Sequence, residues 1–389
     1  MTPPRYFISY NREDIDEVGV IAKTLMLHGV KIWQDINNLG LGLAENEIRE
    51  AIREDCSGLL FYSTKSSVQS LMVRLVELPE AEKKHKSDKS FSIVPIFKLG
   101  VKETQNSLKD CLTIPISNFN GAKVGEENPS ILLASQEAAL KILDTIDLNK
   151  GRPLAIGLSS KQKSDKELDL DVDLMSYFST GVPSQEVWVK EISSAFYNIK
   201  NTLLKKKVTH LRLYSFAHLS LGFLFGYIFR ERTGFILEIE QITRPERKIW
   251  TTNETPEENP LKTSLFPGDL NSKHLCVRIN LMSQDDKSIT SLCEQTGLSF
   301  RVILEISPTQ YPFIISNGQG VTIARHLTDK IKQVNAEYGT NTVHMFAAIP
   351  LGLSLLIGYN LNACGKVQCY EFDNATRNYF PSCVLDSKY

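Results

Sequence analysis

Two ten-residue stretches in the C-terminal half of the chain align without a gap: HLSLGFLFGY, from His218 to Tyr227, and PLGLSLLIGY, from Pro350 to Tyr359. Leu219 meets Leu351, Leu221 meets Leu353, Leu224 meets Leu356, Gly226 meets Gly358 and Tyr227 meets Tyr359. A strand-like run precedes each, HLRLYSF from His210 and VHMFAAI from Val343. Gly234 and Gly365 each precede a further one, FILEIE and KVQCYEF. Each copy therefore reads strand, tight loop, apolar helix, glycine turn, strand, which is a duplicated Rossmann-like unit. The shared Leu and Gly positions read as core packing. The tight loops 215–218 and 347–350 fall at strand carboxyl ends, where the following helix N-termini offer backbone N–H groups to anions. Two such crevices in one domain suit a ligand with several phosphates.

The N-terminal part alternates in the same way. Residues 6–10 read as a buried strand, and across 14–28 the apolar residues Ile15, Val18, Ile21, Ala22 and Leu25 mark one helical face. Gly29 is placed to end that helix. A short strand at 30–33, a Gly/Asn loop at 34–44 and a helix at 45–55 follow, then a central strand GLLFY at 58–62, a helix near 68–84 and a strand FSIVPIF at 91–97. This alternation implies a parallel sheet covered on both faces, with any ligand beyond the strand carboxyl ends. The residues there are polar: Ser9 to Arg12, Gln34 and Asp35, Ser63 and Thr64. In the junction YFISYNREDID, Asn11 and Arg12 either cap and solvate the helix start or hold a phosphate. The charge run PEAEKKHKSDKS at 79–90 reads as a solvated helix end and loop. The chain turns polar around 149–166, which places a first domain at 1–145 and a second at 151–389, the latter in halves of about 151–285 and 286–389.

At 389 residues the chain exceeds one ordinary core. A formal net charge of −1 gives no global basic field, so neither long nucleic acid nor a membrane surface is an expected partner, and an anion site must be a local pocket. The seven cysteines are scattered, with no CxxC, and MTPPRYF at the N-terminus has no apolar signal core. Both features point to a reducing cytoplasm and free thiols. No Cys/His cluster has zinc spacing, so no metal is expected. The apolar runs 213–229 and 345–361 are short for bilayer spans and carry Gly with His or Pro. No GxGxxG opens either repeat copy, which argues against a dinucleotide-cofactor site.

The first part of the chain resembles a Toll/interleukin-receptor (TIR) domain. The resemblance rests on FISYNRED as first-strand motif, VKIWQDINNLGLG as second strand and loop, EIREAIREDCSGLLFYS as helix and third strand, and SSVQSLMVRLVELPEA as the next helix. It implies a flavodoxin-like fold and one of two activities, adaptor scaffolding or cleavage of NAD at its nicotinamide glycosidic bond. Enzymatic members carry a glutamate in the helix after the third strand. Glu77, in VRLVEL, matches it, with Glu80 as the alternative register. Val73 stands where the family often has Trp, and Pro79 follows two residues after Glu77. The resemblance also implies that Ser9, Tyr10, Asn11, Arg12, Trp33 and Asp35 line the NAD cleft. Arg12 suits the pyrophosphate. Trp33 is either a stacking face or core, and Asp35 either bonds a ribose or caps its loop. NAD is then a substrate, and no cofactor is implied.

The rest of the chain resembles a SAVED domain, the sensor of bacterial cyclic-oligonucleotide anti-phage systems (CBASS). It does so through DLDVDLMSYFSTG, EVWVKEI, HLRLYSFAHLSLGFLFGY and VHMFAAIPLGLSLLIGYNLNACGKVQCYEF. The family is a fused pair of CARF-like, Rossmann-like halves, which agrees with the duplication. The resemblance implies a cyclic tri- or tetranucleotide ligand from a partner cyclase, an adenine-containing cyclic trinucleotide by analogy. It also implies self-association into oligomers or filaments on ligand binding, which makes an NADase competent. Candidate ligand residues are Tyr214, Ser215, Phe216 and His218 from the first crevice and Ala348, Ile349 and Pro350 from the second. Tyr370 is either a base-stacking ring or a buried tyrosine. RPERKIW at 244–250 either grips phosphate and purine or is a solvated hairpin edge. His210 and His344 read as structural. The rival reading is a TIR scaffold without enzymatic activity, switched by the nucleotide.

Overall fold

A computed structural model describes residues 4–33, 44–125, 129–243, 246–281, 286–308 and 313–386. The chain divides into two compact units. The first comprises Met1–Gly157, Asp165–Asp173 and Asn201–Lys207; the second comprises Leu158–Ser164, Leu174–Lys200 and Val208–Tyr389.

In the first unit, β1 (Arg5–Ser9), α1 (Ile15–Leu27), β2 (Lys31–Trp33), α2 (Ala44–Glu50), β3 (Gly58–Ser63), α3 (Leu78–Ser87), β4 (Ser92–Phe97), α4 (Val101–Leu108), β5 (Ala122–Lys123) and α5 (Ile131–Thr145) follow in order. The strands form one sheet in the order β2-β1-β3-β4-β5, every pair parallel. This is the flavodoxin-like order, whose switch point lies between β1 and β3. All six residues of β3 are buried, as a central strand covered on both faces requires. One face carries Phe7, Leu59, Phe61 and Ile93 against Ile52, Val73, Val76 and Leu78. Gly29 ends α1 at φ 84°, a conformation open to glycine without a Cβ penalty.

Two helices of this unit contain a π-helical turn: Ala51–Asp55 after α2 and Val73–Glu77 before α3. The second has a local cause. Pro79 brings no N–H to the carbonyl four residues back, that of Leu75, and Arg49 Nη2 reaches that oxygen instead, at 3.5 Å.

The next elements are β6 (Leu154–Ser159), β7 (Leu170–Asp173), α6 (Gln185–Val187), α7 (Ser194–Lys205), β8 (His210–Phe216), α8 (Leu219–Ile228), β9 (Ile236–Thr243), β10 (Glu246–Thr251), β11 (Leu261–Pro267), β12 (His274–Asn280), α9 (Asp286–Thr296), β13 (Val302–Pro308), α10 (Asn317–Tyr338), β14 (Thr342–Ala348), α11 (Leu351–Asn360), β15 (Lys366–Asp373) and β16 (Asn378–Leu385). Two sheets result, with orders β10-β9-β8-β6-β7 and β11-β13-β12-β14-β15-β16. The duplication is visible in both. β8-α8-β9 and β14-α11-β15 are parallel strand–helix–strand units, and their glycine turns, Gly234 and Gly365, share φ 77°.

Helices α8 and α11 pack on each other, and the repeated glycines explain why. A Cβ on Gly226 would run into the Leu355 carbonyl oxygen, and one on Gly358 into the Phe223 carbonyl oxygen. The shared glycine thus permits a backbone-to-backbone approach from both copies. The apolar face of each helix is covered by the other unit of the repeat, which accounts for their hydrophobic run. Among the described residues no helix is long and apolar enough to cross a membrane, and no group of three or more His, Cys, Asp or Glu is placed to hold a metal ion. The seven cysteines are free, five of them buried.

Candidate functional sites

In the first unit, Ser9 ends β1 and Glu77 ends the π-helical turn, and the two side chains meet. Ser9 Oγ donates to Glu77 Oε2 at 2.5 Å. Both are buried, Glu77 at 6% exposure. A buried carboxylate without donors is costly, so this hydrogen bond both stabilises the group and fixes its direction. The extra residue of the π turn sets which side chain faces β1 at this point, and such turns recur at functional sites.

Glu80, the alternative register, is engaged elsewhere. Arg53 Nε reaches Glu80 Oε1 at 2.6 Å, Arg53 Nη2 reaches Oε2 at 2.8 Å and Arg49 Nη1 reaches Oε2 at 3.0 Å. The Arg53 hydrogen bonds, with those of Arg49, hold its carboxyl below the ordinary value of 4.5. Glu80 ties α3 to the segment after α2, a structural task.

The other sequence-derived candidates of this unit separate. Asn11 caps the turn at Arg12–Asp14: its Oδ1 accepts from the Glu13 N–H at 3.0 Å and its Nδ2 donates to the Ser66 carbonyl at 3.4 Å. Arg12 is exposed, and Tyr10 is half-buried. Trp33 stacks on Phe7 at 4.9 Å and 21° inside the core, so its indole serves packing. Asp35 and residues 34–43 of the expected loop lie outside the described residues. A cavity of about 420 Å³ opens at the strand ends, lined by Asp14, Thr64, Lys65, Ser66 and Lys98 among others. Asp14 accepts there from Thr64 Oγ1 at 2.7 Å and Ser66 Oγ at 3.0 Å.

In the second unit, a cavity of about 730 Å³ is lined by both repeat copies. Ala217 and Leu219 come from the first, and Ala347 to Leu351 from the second; Lys161, Glu371, Phe372, Asn374, Arg377 and Tyr379 complete it. Ala348, Ile349 and Pro350 are thus at the cavity. Tyr214, Ser215, Phe216, His218 and Tyr370 are not in its lining. Ser215 Oγ donates to the Leu158 carbonyl at 2.9 Å. His218 stands at the N-cap position of α8 without a side-chain cap, its Nδ1 2.7 Å from Ser160 Oγ and its ring stacked on Phe178 at 4.2 Å. Burial, with the nearby Lys161 charge, lowers its pKa to about 4. Tyr370 stacks on Phe346 at 4.4 Å and sits 2.9 Å from His344 Nδ1; it lines a second cavity, of about 650 Å³, with His274 and Lys273. His344 also contacts His274 at 3.0 Å, and His210 pairs with Glu238 at 2.8 Å. In the 244–250 segment Trp250 is buried, which removes it as a stacking face; Arg244 lies outside the described residues.

The expectation that both crevices leave helix N–H groups open to anions is corrected by two internal acceptors. Glu371 Oε2 accepts from the Ser220 N–H at 3.0 Å and from Ser220 Oγ at 2.8 Å, at the first turn of α8. Gln241 Oε1 accepts from the Gly352 N–H at 2.8 Å, at the first turn of α11. Burial pushes the Glu371 carboxyl above 4.5, and the Ser220 donors oppose it. The cationic groups that the sequence reading missed, Lys161 and Arg377, come from a loop and a turn that carry no motif.

The TIR domain profile matches residues 7–124, and that of the SMODS-associated and fused to various effectors sensor domain (SAVED) matches 192–385. No curated protein matches the chain. Among solved structures, the Acinetobacter baumannii Cap4 SAVED/CARF-domain containing receptor with the cyclic trinucleotide 3′3′3′-cAAA is 15% identical, with a TM-score of 0.52 and coverage of 98% of this chain and 88% of that one. The same receptor with 2′3′3′-cAAA gives 15%, 0.51, 98% and 88%. At that identity the likeness is one of fold. Taken with the parallel β2-β1-β3-β4-β5 sheet and the duplicated strand–helix–strand unit, these matches identify the chain as a member of the proteins that fuse a TIR domain to a SAVED domain.

Proposed function

We propose that this chain is an anti-phage effector in which a cyclic oligonucleotide, taken up by the SAVED domain, switches on NAD⁺ cleavage by the TIR domain. The observation that carries the reading is the Ser9–Glu77 pair, a buried carboxylate held at the end of β1 in a chain that also bears a SAVED domain. Nicotinamide in NAD⁺ is already cationic, so it leaves as a neutral base and needs no general acid. The transition state has oxocarbenium character. A carboxylate beside the ribose accepts from its hydroxyls and stabilises the developing positive charge. Water then completes ADP-ribose.

Activation by self-association fits the surface of the same segment. Leu71, before the π-helical turn, and Leu75, within it, are 73% and 62% exposed, apolar area that a second copy would cover. Ligand binding favours the assembled state by its differential affinity. The cavity that Lys161 and Arg377 border supports the ligand class, since cations without a basic global field select a compact polyanion.

The test incubates the full chain with NAD⁺ alone and with a panel of cyclic di-, tri- and tetranucleotides, beside Glu77→Gln, and separates products by chromatography. Nicotinamide release with one ligand, absent in the variant, supports the reading. Ligand binding without release in any condition favours a TIR scaffold.

A further inference from the structure

The cavity of the second unit contains a group that a simple phosphate site would exclude. Glu371 lies in its lining at 5% exposure, and the cations Lys161 and Arg377 line the same cavity. Its Oε2 takes both donors of Ser220, the Leu219 N–H is a further partner, and the Ser220 hydroxyl is 2.6 Å from that of Ser382. Donors converging at the start of a helix fix the direction of the group that receives them and oppose the rise that burial causes. The carboxylate is therefore a fixed feature, held in place from behind by α8.

Its chemistry restricts what a ligand can present to it. An ionised carboxylate only accepts hydrogen bonds, and it repels phosphate oxygens. A ligand that fills this cavity must turn an N–H or O–H toward Glu371 and its phosphates toward Lys161 and Arg377. The neighbouring wall favours a base over a sugar. Half-buried Phe372 also lines the cavity, its ring 5.1 Å from that of buried Tyr379 at 62°, and an aromatic face stacks nucleobases.

We propose that Glu371 determines base specificity in this cavity: its carboxylate accepts a hydrogen bond from the exocyclic amino group of one nucleobase of the cyclic oligonucleotide, stacked against Phe372. The proposal rests on the sensor reading above. It assigns to that subsite a base that presents an exocyclic amino group, and disfavours one that presents a carbonyl oxygen in the same place. Hydrogen bonds to charged groups are worth enough to set a discrimination of about 10- to 100-fold.

The test is calorimetric titration of the full chain with 3′3′3′-cAAA and 2′3′3′-cAAA, and with analogues in which each adenine in turn is replaced by unsubstituted purine. Wild type and Glu371→Gln are compared, after thermal melting has shown that the variant folds. The expected result is a loss of about 10- to 100-fold at one ring position in wild type, shrinking to about 3-fold or less in the variant. Analogues that bind wild type as tightly as the parent at every position overturn the proposal, and this arm needs no variant. An equal loss in wild type and variant also overturns it, since the amino group is then read elsewhere. Failure of the sensor reading looks different: no cyclic di-, tri- or tetranucleotide binds at all, and the proposal falls with it. Binding that Lys161→Ala weakens, but that no purine replacement alters, overturns the Glu371 assignment alone.

Discussion

Glu77 and Glu80 sit on one helical stretch, and their partners assign them different work. Ser9 donates to Glu77, while two arginines clamp Glu80. Glu80→Ala is therefore expected to cost stability, about 1–2 kcal/mol once solvent screening of the half-exposed arginines is allowed for, measured as a urea midpoint. Ser9→Ala leaves the Glu77 charge in place but loosens its direction. It should lower NAD⁺ cleavage about 10-fold, while Glu77→Gln lowers it at least about 100-fold, both read as nicotinamide release. A buried histidine sets a pH dependence. His28 is enclosed, with Nδ1 2.7 Å from the Thr24 carbonyl, and burial lowers its pKa to about 4. The unfolded chain takes up a proton below about pH 6.5 that the folded chain refuses. The stability linked to neutral His28 is thus complete above that pH and is lost as pH falls toward 4. The urea midpoint should drop between about pH 7 and pH 5 in wild type, and drop less in His28→Gln.

At the scale of elements, the repeat was legible because its function in packing needs the same residue at the same place twice. Gly226 and Gly358 permit close approach of α8 and α11, and each copy shows the glycine in an otherwise bulky apolar run. Gly226→Ala and Gly358→Ala should each destabilise the chain by about 1–3 kcal/mol, seen as a lower melting temperature. The first-unit strands were legible for a similar reason: their order of apolar runs and helical faces is set locally. The Ser9–Glu77 pair was half legible. Sequence resemblance placed both residues at one site, but their direct hydrogen bond depends on the π-helical turn, which Pro79 only hints at. The cap of α8 was not legible at all. Glu371 meets Ser220 across the fold, from a strand on which only the neighbouring Tyr370 was a candidate, a residue that points into the opposite face and stacks on Phe346. Gln241 at α11 is the same case. Side-chain caps from distant segments leave no period or spacing in the chain, so helix N-termini that read as open are filled.

At the scale of the whole molecule, the proposed function couples one unit to the other through a ligand. The cavity and the Glu77 carboxylate should then fail in separable ways. Loss of Lys161 and Arg377 should weaken ligand uptake and leave the Ser9–Glu77 pair intact. Loss of Glu77 should spare uptake and remove NAD⁺ cleavage. The most direct test of this claim is the rate of nicotinamide release as a function of activating cyclic oligonucleotide, measured on wild type, on Lys161→Ala/Arg377→Ala and on Glu77→Gln. The account predicts a saturable rise for wild type, a curve displaced to higher ligand concentration with the same plateau for the cavity variant, and no release by Glu77→Gln at ligand concentrations where it still binds. Release that is independent of ligand, or that persists without the Glu77 carboxylate, would contradict it.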